Sequence, residues 1–221
     1  MIEKIAVFDL DHTLIKGDSS ALWAEYLHEL GWITSPDFKH QHQQMMETYA
    51  NGNLDMCAYL ALNLSPLMGR EYERVYTEAE RFVSERILPL IYPDAVHLIH
   101  QLRQQGEHLL MISASEVFLV EPVANALGFD GVIGIDVEHH EGKITGNPLL
   151  PLSYQEGKIH HYHAYLERFN TSESQVISRF YSDSHNDIPL LEKVQFPVAV
   201  NPNDALLQVA QEQQWPILNW S

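Results

Sequence analysis

The stretch Ile5-Ala6-Val7-Phe8-Asp9-Leu10-Asp11-His12-Thr13-Leu14 passes from an apolar run directly to two acids. Residues 5–8 are β-branched or aromatic almost throughout, which predicts a buried strand that stops at Asp9. Two carboxylates this close at the mouth of a strand repel each other unless a cation lies between them. The stretch therefore predicts a strand inside a sheet and, directly after it, a candidate functional site.

The rest of the chain divides into a helical segment and an alternating one. Residues 19–86 carry helical signals without a convincing strand: Ser19 and Ser20 are expected to cap a first helix, further helices are expected over about 36–51 and from 53, and a long one over 69–87. After Pro89, strands alternate with helices, which is typical of a parallel sheet covered on both faces. The predicted fold class is α/β, with a Rossmann-like, doubly wound parallel sheet.

Polar clusters follow three of the predicted strands. In such sheets ligands bind at the carboxyl ends of the strands, near the point where the strand order reverses. The three clusters are Asp9-Leu10-Asp11, Ser113-Ala114-Ser115 and Asp183-Ser184-His185-Asn186-Asp187. We expect them to converge on one site.

The residue types in these clusters suit phosphoryl transfer. Several carboxylates without a Cys or His grouping favour Mg²⁺, which binds through a few carboxylates, waters and substrate phosphate. One carboxylate can attack phosphorus, and a neighbouring carboxyl can alternate between proton donor and acceptor. Lys158, at the start of a predicted helix, and Ser113 are candidates for binding the phosphate oxygens.

Composition narrows the range of partners. Thirteen Lys and Arg stand against 30 Asp and Glu, a formal net charge of -17, which argues against binding to nucleic acid. No apolar run approaches the roughly 20 residues of a membrane span. Cys57 is the sole cysteine, so no disulfide can form within the chain and a cytoplasmic location is expected. The sequence carries no signal for the oligomeric state.

Four segments in order carry a family resemblance. Asp9-Leu10-Asp11-His12-Thr13, Ile112-Ser113-Ala114-Ser115, Gly157-Lys158 and Ser182-Asp183-Ser184-His185-Asn186-Asp187 are similar to the four motifs of the haloacid dehalogenase-like hydrolase superfamily. The helical insert resembles the cap of its phosphoserine phosphatase-like branch. The resemblance implies a core domain over residues 1–15 and 88–221, with an inserted α-helical cap domain over 16–87 that closes over the site.

The resemblance also implies a role for each matching residue. Asp9 would be nucleophile and metal ligand, and Asp11 would be acid and base and bind Mg²⁺ through its backbone carbonyl. Asp183 would complete the metal site. Ser113, Ala114, Lys158 and Asn186 would hold the phosphate, and Thr13 and Asp187 would support them. The implied enzyme is a Mg²⁺-dependent phosphatase that acts on a small phosphorylated metabolite through an aspartyl-phosphate.

One departure of this sequence from the phosphoserine phosphatase pattern bears on the identity of the substrate. Enzymes that act on phosphoserine hold its carboxylate with a cap arginine, whereas this chain has no Arg before Arg70 and has Ala61 near the expected position. Asp18 matches the family's amine-binding acid. An acid without that arginine suits a cationic leaving group, as in histidinol phosphate, and the chain resembles bacterial histidinol-phosphate phosphatases of this branch.

Alternatives remain at several positions and for the function itself. Ser115 is better interpreted as a helix cap, Thr13 could cap a helix, and Lys158 could be a solvated helix lysine. The 13 His residues lack the spacing of a structural zinc site. A phosphoserine phosphatase, a phosphotransferase, a phosphoprotein phosphatase and a non-catalytic phospholigand-binding regulatory protein are the competing functions.

Overall fold

The structure, a computed structural model, describes residues 1–50 and 55–221. The strands are β1 (Lys4–Phe8), β2 (His108–Glu116), β3 (Gly131–Ile135), β4 (Val137–His140), β5 (Lys143–Pro148), β6 (Ile177–Ser182), β7 (Phe196–Val200) and β8 (Ile217–Leu218). The α-helices are α1 (Ser19–Glu29), α2 (Phe38–Ala50), α3 (Met56–Leu64), α4 (Tyr72–Phe82), α5 (Pro93–Gln104), α6 (Val117–Leu127), α7 (Glu156–Arg168), α8 (Ile188–Leu191) and α9 (Asp204–Glu212). None of these helices is long and apolar enough to cross a membrane.

The main sheet is parallel and covered on both faces. Its strand order is β3-β2-β1-β6-β7-β8, and β4 and β5 form a separate antiparallel hairpin. On β1, Ile5 and Val7 pack into one apolar cluster and Ala6 and Phe8 into another, and all four are fully buried. The α/β class and the doubly wound sheet are thus confirmed. The strand order reverses beside β1, so the ends of β1 and β6 meet where a ligand is expected.

Helices α1 to α4 lie in the chain between β1 and β2, and each contributes at least one buried side chain to the core. One apolar cluster, called here the shared apolar cluster, includes side chains from the sheet, from α1, from α4 and from α6: Phe8, Met111, Trp23, Leu27, Phe82 and Phe118. A smaller cluster joins Tyr59 and Leu60 of α3 to Ile135 of β3. The division into a core and a cap over residues 16–87 stays a prediction.

Several predicted boundaries differ from the structure. Asp18, and not Ser19 or Ser20, caps α1, because its Oδ1 accepts the backbone N–H of Ala21 at 2.8 Å. The predicted helix over 69–87 begins only at Tyr72, since the backbone N–H groups of Gly69 and Tyr72 instead donate to the hairpin. Two predicted helix ends, near Asn51-Gly52 and at Asn53, lie outside the described residues.

Strand β2 is longer than the sequence pattern indicated. The apolar run predicts a strand that stops at Ile112, but β2 continues to Glu116, with a shift in its pairing to β3 between these two residues. Ser113, Ala114 and Ser115 therefore belong to the irregular end of a strand. Such irregularities re-aim side chains next to functional sites.

Candidate active site

Asp9 lies at the floor of a pocket, directly after β1. Its carboxylate is 7% exposed, and its Oδ1 accepts a hydrogen bond from Lys158 Nζ at 2.8 Å. Burial raises the pKa of Asp9 to about 7, against the lowering effect of Lys158, and the nearby Asp187 and Asp11 charges raise it further. A carboxylate held by a cation at the end of a central strand is well placed to act as a nucleophile.

Lys158 is a buried cation between two carboxylates. Its side chain is 2% exposed, and Nζ lies 2.7 Å from Asp187 Oδ1 in addition to its contact with Asp9. Burial alone would lower its pKa, but Asp187 and Asp9 raise it above the ordinary value. The interpretation of Lys158 as a solvated helix lysine is wrong. The preceding Gly157 is required for close approach, because a Cβ there would lie 1.8 Å from the carbonyl oxygen of Leu152.

Asp183 follows β6 and faces Asp9 across Thr13. The Thr13 hydroxyl lies 3.1 Å from Asp183 Oδ1 and 3.3 Å from Asp9 Oδ2, and it accepts the Asp183 backbone N–H at 2.9 Å. Burial, and then the charges of Asp9 and Asp187, raise the pKa of Asp183 well above its usual value. Thr13 therefore joins two strand ends and caps no helix.

Asp11 is held on both carboxylate oxygens by neighbouring elements. Oδ1 accepts the backbone N–H of Ser19 at 2.6 Å, and Oδ2 accepts the hydroxyl of Ser115 at 2.7 Å. Burial, followed by the charge of Asp18, raises the pKa of Asp11 to about 6. The prediction that Ser115 caps a helix is wrong: α6 begins without a side-chain cap, and the Ser115 hydroxyl fixes Asp11 instead.

Ser113 and Ala114 line the same pocket as Lys158. Ser113 is 1% exposed, and its hydroxyl accepts the backbone N–H of Ser115 at 3.1 Å. Its own carbonyl accepts the Ser153 hydroxyl at 2.6 Å, which ties the end of β2 to the loop before α7. Both predicted phosphate-binding positions thus line the pocket.

Asn186 lines the pocket, and its side-chain amide is held through its oxygen. Its Oδ1 accepts two hydrogen bonds at 3.1 Å, from the Tyr154 hydroxyl and from Gln155 Nε2. Among the described residues its Nδ2 has no hydrogen-bond partner, although the side chain is buried. Two donors on the oxygen determine which way the amide points, so Nδ2 is left to bind an anion. Tyr154 and Gln155 were not predicted from the sequence, because they become relevant only through this contact.

Removal of this clamp should weaken phosphate binding. In Gln155→Ala combined with Tyr154→Phe, the Asn186 amide loses both restraints, and we expect the inhibition constant of inorganic phosphate to rise about tenfold, the effect of one or two hydrogen bonds. The matched control is Gln104→Ala, on the exposed end of α5. An inhibition constant equal to that of the control would contradict the proposed clamp.

The pocket has a volume of about 380 Å³ and two unlike walls. One wall carries the predicted catalytic and phosphate-binding residues. The other carries Asp18, Ser20, Met56 and Tyr59, and it contains no Arg among the residues that the structure describes. Ala61 is exposed and does not line the pocket, whereas Met56 and Tyr59 of the same helix do.

The histidines in the described part of the chain are possible metal ligands by residue type. No group of three or more His, Cys, Asp or Glu side chains in residues 1–50 and 55–221 is arranged to hold a metal ion. His161, near Lys158 in sequence, is half-buried, and its Nε2 lies 2.7 Å from the carbonyl oxygen of Pro151. His185 lines the pocket and contacts Asn203 at 3.0 Å, which the sequence did not indicate. Any ion at Asp9 and Asp183 would thus have two carboxylate ligands, with backbone and water oxygens.

Comparison with known proteins gives consistent matches along the chain. The family described as haloacid dehalogenase-like hydrolase matches residues 6–192. The histidinol-phosphatase of Neisseria meningitidis serogroup C (strain 8013) is 37% identical, with 99% of this chain and 100% of the relative covered. A protein of unknown function from Bordetella pertussis Tohama I has a crystal structure with a TM-score of 0.90 and 30% identity, and 99% of each chain is covered.

A solved phosphoserine phosphatase shares the fold at lower identity. The structure of its phospho-aspartyl intermediate analogue matches with a TM-score of 0.70 and 17% identity, and it covers 99% of this chain and 94% of that one. These matches confirm the resemblance that the four motifs carried. The chain therefore belongs to the haloacid dehalogenase-like hydrolase family.

Proposed function

We propose that this chain is a Mg²⁺-dependent phosphomonoester hydrolase that forms an aspartyl-phosphate on Asp9 and acts on histidinol phosphate. The chain is a phosphatase of the haloacid dehalogenase-like hydrolase family. The more specific proposal rests on the difference between the two walls of the pocket. One wall holds the buried Asp9–Lys158 pair, and the other is acidic and contains no arginine among the described residues.

The residues support a reaction in two displacements. Asp9 attacks phosphorus, so that a bond from its carboxylate oxygen forms as the bond to the leaving oxygen breaks. Asp11 donates a proton to that oxygen, and then takes one from the water that hydrolyses the phosphoenzyme. Lys158, Ser113 and the Asn186 amide would hold the equatorial oxygens throughout.

The carboxylates of Asp9 and Asp183 fit a divalent cation. They share the Thr13 hydroxyl, burial raises the pKa of both, and the charge of Asp9 further raises the pKa of Asp183, which indicates that a positive charge between them would stabilise the site. Oxygen ligands of this kind suit Mg²⁺, with the Asp11 backbone carbonyl as a third protein ligand. When bound, the ion would neutralise charge on the phosphate.

The leaving group would contact the wall formed by Asp18, Ser20, Met56 and Tyr59. Burial raises the pKa of Asp18, and a cation next to it would offset that cost. Histidinol phosphate has an amine and an imidazole and no carboxylate, and the named relative from Neisseria meningitidis is a histidinol-phosphatase. Phosphoserine would place its carboxylate against this acidic wall, which disfavours it.

Turnover of the two substrates tests the assignment. We expect kcat/KM for histidinol phosphate to exceed that for phosphoserine by roughly a hundredfold, since an unpaired charge in a closed site costs a few kcal/mol. Asp18→Asn should raise KM for histidinol phosphate about tenfold, because Asn keeps the helix cap but removes the charge.

The control substrate is p-nitrophenyl phosphate, which has no cationic group and whose KM should not change in Asp18→Asn. Equal kcat/KM for histidinol phosphate and phosphoserine would refute the substrate, while the phosphatase assignment would stand. We further propose that the enzyme works in the cytoplasm, where the exposed thiol of Cys57 stays reduced.

A further inference from the structure

Glu116 is a buried carboxylate that the proposed reaction does not use. It is the last residue of β2 and is 1% exposed. Within the described part of the chain, no Lys, Arg or His nitrogen lies within ion-pair distance of it. A buried charge without a partner is costly, so a carboxyl in this place calls for an explanation.

A row of hydroxyl groups connects Glu116 to Asp11. Glu116 Oε2 lies 3.5 Å from Ser20 Oγ, which lies 3.3 Å from Ser115 Oγ. The Ser115 hydroxyl donates to Asp11 Oδ2 at 2.7 Å, and it also accepts the Ser19 hydroxyl at 3.2 Å. The row runs from Glu116 at the end of β2 to Ser20 on α1, returns to Ser115 on β2, and ends at Asp11 in the loop after β1.

The number of hydrogen-bond donors in this row depends on whether the Glu116 carboxyl is protonated. Ser115 gives its only proton to Asp11, so its oxygen can only accept, and Ser20 must be the donor in their contact. The Ser20 oxygen, which also contacts the Tyr59 hydroxyl, can then accept from Glu116, which can donate only when it is protonated. An ionised Glu116 would draw the Ser20 proton to itself and leave the two serine oxygens without a proton between them.

We propose that Glu116 carries a proton in the active enzyme and heads a one-way chain of hydrogen bonds, through Ser20 and Ser115, that fixes the Asp11 carboxylate. Glu116 is then a positioning residue, because it touches no reacting atom. This inference rests on the role of Asp11 in the proposed function. Hydrogen bonds aligned in one direction polarise one another, so the chain also strengthens the bond to Asp11.

The surroundings of Glu116 favour its neutral form. Burial raises its pKa to about 7, and the charges of Asp18 and Asp11 add to this effect. The titratable groups that face it are Asp11 after β1, Asp18 before α1 and Tyr59 on α3, none of which is a cation. At neutral pH and below, Glu116 can therefore act as a donor.

The test compares Glu116→Gln with Glu116→Ala. The Gln amide donates at every pH, whereas wild-type Glu116 loses its proton as pH rises through about 7. We divide kcat/KM of Glu116→Gln by kcat/KM of the wild type at each pH. This ratio should rise about tenfold between roughly pH 6 and 8, because the protonated fraction of wild-type Glu116 falls by that factor. Because the charges of Asp11 and Glu116 interact, the pKa of Asp11 is measured in both proteins and its contribution is removed before the ratios are compared. Glu116→Ala should lose activity across the range, more for an alkyl phosphate than for p-nitrophenyl phosphate.

Glu107→Gln is the matched control, because Glu107 is also buried but pairs with Arg179 at 3.0 Å, away from the pocket. It should lower the melting temperature without a pH-dependent activity ratio. The infrared difference between wild type and Glu116→Gln should show the carbonyl band of a protonated acid near pH 6. A flat ratio, or the absence of this band, would overturn the inference.

The infrared band separates this inference from the proposed function. If Asp9→Asn were active, the proposed reaction would fail while the band could still report a protonated Glu116. If the band were absent in an enzyme that needs Asp9, the proposed reaction would stand and the hydrogen-bond chain would be refuted.

Discussion

Replacement of Asp9 with Asn should reduce turnover of every phosphate ester by roughly four orders of magnitude or more. The amide oxygen can still accept the hydrogen bond from Lys158, so the floor of the pocket should keep its shape. The nitrogen is a poor nucleophile, however, and it removes a charge from the expected metal site. Steady-state assays with p-nitrophenyl phosphate and an alkyl phosphate give the magnitude.

Two further measurements make this result specific. Asp204→Asn, on the exposed first turn of α9, is the matched control and should keep full activity. Circular dichroism and melting temperature should show that Asp9→Asn is folded. Residual activity above about one part in a hundred would contradict the nucleophile assignment. Tight binding of phosphate without any turnover in the wild type would instead favour the non-catalytic binding protein.

Replacement of Asp11 with Asn should slow both displacements by about 10² to 10⁴. The Asn carbonyl oxygen can accept the Ser19 backbone N–H, whereas the Asn amide cannot accept the bond that Ser115 donates to Asp11 Oδ2. One of the two restraints on the side chain is therefore kept while the proton donor is lost. Rapid-quench measurement of the phosphoenzyme resolves the two steps.

The dependence on the leaving group identifies what Asp11 does. In the first displacement, kcat/KM should fall least for p-nitrophenyl phosphate, whose leaving oxygen needs no proton, and most for an alkyl phosphate. The second displacement should be slowed equally for both, because the same phosphoenzyme is hydrolysed. An equal loss of kcat/KM for the two esters would show that Asp11 supplies only structure or metal binding.

The sequence predicted those parts of the site that depend on strand ends. Asp9, Ser113 and Asp183 each follow a predicted strand, and the carboxyl ends of parallel strands necessarily share one edge. Because each motif lies at a predicted strand end or helix start, the α/β fold class alone predicted that the motifs converge. Local chemistry, namely acids, a serine and a lysine, then indicated phosphoryl transfer.

What the sequence could not predict depends on contacts between distant segments. Ser113 and Ser115 are equivalent by local pattern, and only the approach of α1 makes the latter a partner of Asp11. The burial of Lys158 likewise depends on Asp9, 149 residues away. The face of α3 that meets the pocket was not predicted either: Tyr59 lines the pocket and Ala61 does not, since a shift of two residues turns a side chain about 200° around the axis. Met56, Tyr59 and Asn63 at helical spacing mark the buried face of α3 and could have indicated it.

The shared apolar cluster limits how this enzyme can acquire new substrates. On α1, Trp23 packs against Phe82 at 5.2 Å and Phe118 at 5.9 Å, while Ser20 on the same helix lines the leaving-group wall. A substitution that moves α1 would therefore perturb the core and the specificity wall together. Evolutionary drift in substrate choice should be easiest through Met56 and Tyr59 on α3, whose apolar contacts belong to a smaller cluster. The fold thus separates a constrained half of the recognition surface from an evolvable one.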